Sequence, residues 1–500
     1  MKDWLTKLYR GMLYILPVAL FFSYYPVIRI GESESMNLEL SIAMIWLVLF
    51  DVVLVANIIK KRKIGVMLSK WKWLPLPVFV TISLAWTLNP LRGTLTVGVM
   101  WAIVVAVVGI WAMRGEFDDK FRRRWWEWFY IATLALCGWC ILQCILNLVG
   151  VPGEDVMLCQ GCTYRTFGFP HPNGFAVEPQ FMGNLLIAPI IVSFWANFCQ
   201  SSGRMRSVLG MITAFVGTMT LFLVFSRGAI YATFVGLAVL SAATIWRAKK
   251  RRAMAVKRVV AMMGVATFAF VVALNFQGLM AQLSPTNDTY KSGVAKVLSQ
   301  LSLGVIDIRE RGTAVPVGTA DTQEQEAVAK VAPVEVSSNE PVDAVQPDAQ
   351  ASAFDGYVEE STEVRKQLTR QAVEIWRSEP RNMLFGVGMG GAGEALRRAG
   401  YYNTSKEIVQ NEYANLLLEA GLVGVILAIA SLTMLYMMVR KQKSALVIVA
   451  LAASYGVSLV FFSGFPNALQ VYLMPVMIMA ILSGEKNSQK EMAKKVDNRR

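Results

Sequence analysis

Apolar residues come in twelve runs, near 11–29, 39–59, 73–89, 94–113, 126–149, 181–199, 207–225, 228–246, 259–276, 416–439, 444–463 and 468–483, divided by short polar joints. Each run is roughly 20 residues, the length at which a helix crosses a hydrocarbon layer of about 30 Å. The pattern predicts an all-α polytopic membrane protein of about 12 transmembrane helices. Residues 1–276 form an N-terminal bundle of nine spans and 277–411 one large loop domain outside it; 412–483 hold the last three spans and 484–500 a basic tail.

The loop domain divides by composition. Residues 312–353 are rich in Ala, Val, Pro, Glu, Asp and Gln with few aromatics, which describes a disordered acidic insert. The part from 355 to 411 reads as helical. Val364, Leu368, Ala372 and Ile375 recur at three- and four-residue intervals, the stripe of an amphipathic helix. A glycine-rich turn follows, Leu384-Phe-Gly-Val-Gly-Met-Gly-Gly-Ala-Gly393, and then a short helix near 394–398.

Composition agrees with the membrane reading. The 500 residues are 55% hydrophobic and 17% charged, against about 45–50% and 25% for soluble domains. That excludes a soluble enzyme, a secreted disulfide scaffold and a mainly disordered chain. The 49 Lys and Arg exceed the 35 Asp and Glu, leaving a net charge of +14. Numbering the joints alternately, 32 of the 49 basic residues fall on one side, among them Lys60, Lys61, Lys63, Arg122, Arg123, Arg124, Arg251 and Arg252. The opposite short joints carry only Arg29, Arg92, Arg165 and Arg227. Short basic joints stay in the cytoplasm, so both termini are cytoplasmic and the loop domain is extracytoplasmic. The excess charge is thus a topology signal, and no nucleic-acid partner is expected. Lys2 and Lys7 precede the first run as in a signal peptide, but no small-residue cleavage site follows; Tyr24, Tyr25 and Arg29 read as an interfacial anchor of a retained helix.

Cys137, Cys140, Cys144 and Cys199 fall in or beside helices as small apolar residues. Cys159 and Cys162, spaced Cys-x-x-Cys on the outer side, suit a local disulfide. A zinc site would need more ligands, and His171 is the only histidine, so no metal is expected.

All four outer basic residues are arginines. Arg29 and Arg92 fit snorkelling at the interface. Arg165 lies in Thr163-Tyr-Arg-Thr-Phe-Gly-Phe-Pro-His-Pro-Asn-Gly-Phe-Ala176, stiffened by two prolines, and Arg227 in Ser226-Arg-Gly-Ala229, between two apolar runs with almost no joint. A charge so close to hydrocarbon costs about 2.5–3.5 kcal/mol unless it faces a polar cavity or a buried carboxylate. A guanidinium there can grip a diphosphate bidentately. The segment Val409-Gln-Asn-Glu-Tyr-Ala-Asn-Leu-Leu-Leu-Glu-Ala-Gly-Leu-Val-Gly424 opens the tenth run with Gln410, Asn411 and Glu412 at its mouth, and Gly421 and Gly424 permit close helix approach.

The late outer loop, Ser-Arg-Gly-Ala joint, Leu-Phe-Gly-Val-Gly turn and Asn-Glu-Tyr…Gly-x-x-Gly helix together resemble the O-antigen ligase and O-antigen polymerase superfamily, over about 160–480. The resemblance implies a GT-C-type inverting glycosyltransferase of the bacterial inner membrane. Such an enzyme takes a glycan from an undecaprenyl-diphosphate donor at the periplasmic face, without a cofactor, and passes it to a glycan, lipid or protein acceptor. It implies substrate contacts at Arg165, Arg227, Gln410 and Asn411. The ligases of the family carry histidine where this chain has Gln410, whose amide takes no proton near neutral pH. His171, Glu178 and Glu412 are the alternative candidate bases, and positioning with charge stabilisation can supply much of the acceleration without one.

Two other classes are compatible with the spans. A transporter or flippase of lipid-linked glycan should show an internal repeat or charges along a pathway; no repeat is visible, and Asp51 is the only acidic residue expected well inside a span. A non-catalytic scaffold accommodates Gln410 but leaves the costly placement of Arg165 and Arg227 without a reason.

Overall fold

The computed structural model describes residues 4–24, 27–33, 36–68, 74–152, 156, 158–159, 171–176, 178–199, 208–248, 251–283, 294–295, 297–298, 301, 356–405, 408–440, 445–465 and 467–483. The insert 312–353, the tail 484–500, Arg165 and Cys162 lie outside the described residues.

All twelve apolar runs fold as helices. They are α1 (Trp4–Phe21), α2 (Ile42–Lys60), α4 (Pro75–Ile82), α5 (Pro90–Met113), α6 (Asp119–Leu148), α7 (Pro179–Phe194), α8 (Val208–Val224), α9 (Arg227–Arg247), α10 (Arg252–Leu283), α14 (Glu412–Val439), α15 (Ala445–Ser458) and α16 (Leu469–Ser483). A short α3 (Ile64–Leu68) joins α2 to α4. The outer segment contributes α11 (Gly356–Ser378), α12 (Pro380–Phe385) and α13 (Ala392–Arg398). By length and composition seven of these helices can cross a membrane: α2, α5, α6, α7, α9, α10 and α14. Shorter apolar helices are packed among them; α15 buries Ala445, Leu446, Val447, Ile448, Ala450 and Leu451.

Burial ranks the helices. In α7, 94% of the apolar window lies inside the protein, against 22% in α10, so α7 is the axis of the bundle and α10 faces its surroundings. Side chains of α1, α2, α6, α8, α9, α15 and α16 close around α7 in one continuous apolar core. A second, smaller core ties the outer segment down: Leu368 and Ala372 of α11 meet Val387, Leu396, Val409, Ala414 and Leu418. The expected amphipathic stripe is therefore real, except that Val364 is exposed.

Two departures from an all-α chain bear on topology. The first helix stops at Phe21, and its expected continuation becomes β1 (Val27–Ser33), paired antiparallel with β2 (Met36–Ser41). The alternating Val-Ile-Arg-Ile and Leu-Glu-Leu patterns satisfy the period of two better than that of a helix, and the register sets Arg29 opposite Glu39. A second small pair, β3 (Leu158–Cys159) and β4 (His171–Pro172), closes the loop between α6 and α7 and places Cys159 opposite His171.

Candidate functional site

Three helices begin at one place. Asn411 caps α14, its side-chain oxygen accepting from the amides of Tyr413 at 3.0 Å and Ala414 at 3.2 Å, which satisfies donors the first turn leaves open. Glu412 follows. One of its oxygens accepts from Ser463 Oγ at 3.0 Å, Gly464 N at 2.8 Å and Phe465 N at 3.3 Å, and its own amide donates to Leu459 O at 3.0 Å. Glu412 thus fastens the loop between α15 and α16. That loop presents the Phe461 carbonyl to Gln180 Nε2 at the start of α7. The Phe461 side chain covers Gly228 at the start of α9, where a Cβ would meet it at 2.9 Å. The starts of α7 and α9 pack directly, Gly183 against Ser226 and Ala229.

Arg227 is the first residue of α9 and is half-buried; its charge acts on the Tyr231 hydroxyl one turn on. The reversal that brings it there depends on Phe225, which adopts φ +53° between α8 and α9. A bulky side chain in the left-handed region is strained, and such strain persists only where the surroundings hold it. The Ser226 hydroxyl beside it is buried with no hydrogen-bond partner among the described residues.

Arg365, on α11, was not foreseen. Its Nε donates to Gln410 Oε1 at 2.9 Å and its Nη2 to Gln180 Oε1 at 2.7 Å, so one guanidinium joins the outer segment to α7 and α14. Gln410 therefore acts as an acceptor for arginine. The apolar stripe of α11 does not single Arg365 out: it sits mid-helix beside Lys366, with Arg370 and Arg377 further along, and nothing in the sequence sets it apart from them. Glu178 caps the same end of α7 without a side-chain capping bond and is exposed. The structure thus groups Arg227, Gln410, Asn411, Glu412 and Glu178 around the Phe461 loop.

His171 lies at the end of α8. Its Nδ1 is 3.0 Å from Leu223 O, and since a carbonyl only accepts, Nδ1 carries the proton. The ring stacks on Phe225 at 5.8 Å, supporting the strained turn before Arg227. Burial pushes its pKa from 6.5 down to about 4, against the opposing pull of the Leu223 carbonyl. The unfolded chain takes up a proton near 6.5 that the folded chain refuses until about 4, so stability present above pH 6.5 drains away as pH falls toward 4. His171→Gln should flatten that part of the Tm-against-pH curve; equal slopes for variant and wild type between pH 7 and 4 would show that the imidazole does not carry it.

The glycine turn has a structural task that its composition did not disclose. Gly388 and Gly390 press on Thr87, Arg92 and Gly93 at the start of α5, where a Cβ would meet backbone at 2.4–2.9 Å. Thr87 Oγ1 donates to Met389 O at 2.8 Å. On its other side the turn meets Glu419, which is 5% exposed and whose Oε1 accepts from Ala392 N at 3.3 Å. Glu419 corrects the expectation that Asp51 is the only acidic residue well inside a span. Arg92, expected to snorkel, is near enough for its charge to act on Glu419.

Among the described residues no three His, Cys, Asp or Glu side chains are grouped to hold a metal ion. Compared with known proteins, the chain matches no protein-family model and no curated protein.

Proposed function

We propose that the chain is a membrane glycosyltransferase of the O-antigen ligase and polymerase kind. It moves a glycan from an undecaprenyl-diphosphate carrier to an acceptor hydroxyl at the periplasmic face of the bacterial inner membrane. In this reading all twelve apolar helices cross the bilayer, both termini are cytoplasmic, and 277–411 is the periplasmic domain. One observation carries it: Arg365 of the outer segment bridges Gln410 and Gln180 where α14 and α7 begin, and Arg227 opens α9, whose first turn packs on α7 at Gly183. Helix N-termini add partial positive charge to the same place. A half-exposed cluster of cation and donor groups at the mouth of a membrane bundle suits a lipid-borne diphosphate.

The acceptor oxygen attacks the anomeric carbon from the face opposite the diphosphate. Its new C–O bond forms as the bond to the diphosphate oxygen breaks, and the hydroxyl proton leaves to a base. Arg227 and Arg365, with Arg165 from the loop before α7, neutralise the charge growing on the leaving diphosphate. Glu178 is the best placed base: its carboxylate is exposed and makes no cap bond, whereas Glu412 is tied to its loop and His171 to Leu223. The reaction needs no cofactor.

The test is the glycan profile of a strain lacking the protein. Shortened polymer, loss of glycan from lipid, or loss of glycan from protein each supports the reading and names the acceptor. An unchanged profile in all three, with no build-up of polyprenyl-linked glycan, sinks it.

A further inference from the structure

A cleft of about 460 Å³ opens on the outer segment, away from the arginine cluster. It is lined by Trp86, Glu374, Glu379, Arg381, Asn382 and Tyr401, among others. The volume suits a small ligand, and the lining is unusual for a hinge or packing defect. Two aromatic rings stand beside two carboxylates, two guanidinium groups (Arg398 the second) and an amide, so donors and acceptors ring an apolar floor. Glu374 is fixed in place, accepting from Tyr401 Oη and Arg370 Nε, both at 2.9 Å. Those bonds, Tyr401's first, hold its carboxyl below the usual range, so it stays an acceptor. The Trp86 indole N–H is buried and finds no acceptor among the described residues, so the ring offers the cleft its carbon face.

We infer that this cleft is a saccharide subsite, taking one ring of the glycan chain at a distance from the bond being made. A pyranose ring offers an apolar C–H face for Trp86 or Tyr401 and a rim of hydroxyls for Glu374, Glu379, Arg381 and Asn382. The position sets the role. Between Arg365 and the Glu374–Ser378 turn α11 rises about 14–20 Å, the reach of several sugar rings, so a sugar here cannot be the one on the diphosphate. Bound there, the chain is held in register, and the contact is felt equally before and during transfer, which tightens KM and leaves kcat alone. The inference rests on the glycosyltransferase reading.

The experiment uses the full-length protein in phospholipid nanodiscs. Its probe is the host's own surface polysaccharide, cut to short oligosaccharides by partial acid hydrolysis. Saturation-transfer NMR should reach the sugar C–H protons with wild type and with Arg227→Lys, and fall at least about fivefold with Trp86→Ala. Because Trp86 also packs on Phe79 and Phe385, Asn382→Ala on the rim is the second variant, with the same loss expected. In a transfer assay both should raise KM for long chains about fivefold or more and keep kcat within about twofold. Whether the donor's or the acceptor's KM moves tells which chain the cleft holds. Equal NMR signals and equal KM in wild type and both variants overturn the subsite, as does displacement of the sugar by a Ser/Thr-rich peptide that itself binds better. A deletion strain with normal glycans overturns the glycosyltransferase reading and the cleft with it. A strain that loses its glycan while both cleft variants behave as wild type overturns the cleft alone.

Discussion

Arg227→Lys should insert and fold as the wild type does and yet lose glycan transfer by a factor on the order of 10²–10³, the cost of removing one preorganised donor from developing negative charge. The substitution keeps the charge and the helix start, so membrane insertion and Tm should hardly move. It removes the planar fork. Lysine offers a compact ammonium that cannot give two parallel N–H bonds to one phosphate. The setting makes that difference count. Arg227 follows a strained Phe225, sits above the Gly183 contact between α7 and α9, and lies under the Phe461 loop that Glu412 fastens. With the residues on either side of it packed on α7 and Phe461, the start of α9 is held in one place, and the shape of the cationic head decides the contact. The measurement is transfer from purified polyprenyl-diphosphate glycan by nanodisc-held variant and wild type at equal folded amounts, with lipid-linked donor binding read separately. Wild-type rates in Arg227→Lys would remove the two-armed grip from the mechanism. Arg365→Lys should show at least as large a loss and a lowered Tm besides, because it also gives up the bridge to Gln410 and Gln180 that docks α11.

The apolar helices were legible because each obeys one local signal, an apolar run about long enough to span, although α1, α4, α6 and α10 begin or end as much as seven or eight residues away from the pattern. Where that signal failed, a partner distant in sequence decided. The continuation of α1 became β1 because residues 36–41 were at hand to pair with it. Of the site, Arg227, Gln410, Asn411 and Glu412 could be picked out, since polar residues at the end of an apolar run stand out against it. Their roles could not: Asn411 is a helix cap and Glu412 a loop fastener through contacts some fifty residues away. Arg365 was hidden by the helix periodicity, and Glu419 by the apolar run around it. Gly421 and Gly424 have the spacing of a helix-packing pair. Gly424 does face Phe79 of α4, but Gly421 does something the spacing cannot express.

Gly421 breaks α14, and replacing it with alanine should cost about 2–6 kcal/mol and undock the outer segment, combining about 1–3 kcal/mol for a glycine-only backbone with a similar cost for forced repacking. Its φ of 62° and ψ of −169° lie where a side chain is not accommodated. A Cβ there would stand 2.5 Å from the carbonyl of Leu384 and 2.6 Å from the amide of Gly386, which are backbone and cannot swing aside. The break also frees the carbonyls of Leu418 and Glu419, which an unbroken helix would bond to residues four further on. Val387 N and Gly388 N take them instead, at 2.9 and 3.0 Å. The glycine turn is thereby stitched into the helix as an outside strand of donors, and Glu419 Oε1 adds a further acceptor for Ala392 N. Alanine would favour a continuous helix, withdraw both carbonyls and push α12 away, and Arg365 would leave Gln410 and Gln180 with it. The expected readings are a lowered Tm in detergent, new proteolytic cuts within 356–405, and transfer activity reduced at least 10²-fold. Gly264→Ala in α10 is the matched control, since a Cβ there meets nothing within 4 Å; it should leave all three unchanged or raise Tm slightly. If Gly421→Ala instead keeps wild-type protease resistance and activity, the stitch between the glycine turn and α14 does not hold the outer segment over the site.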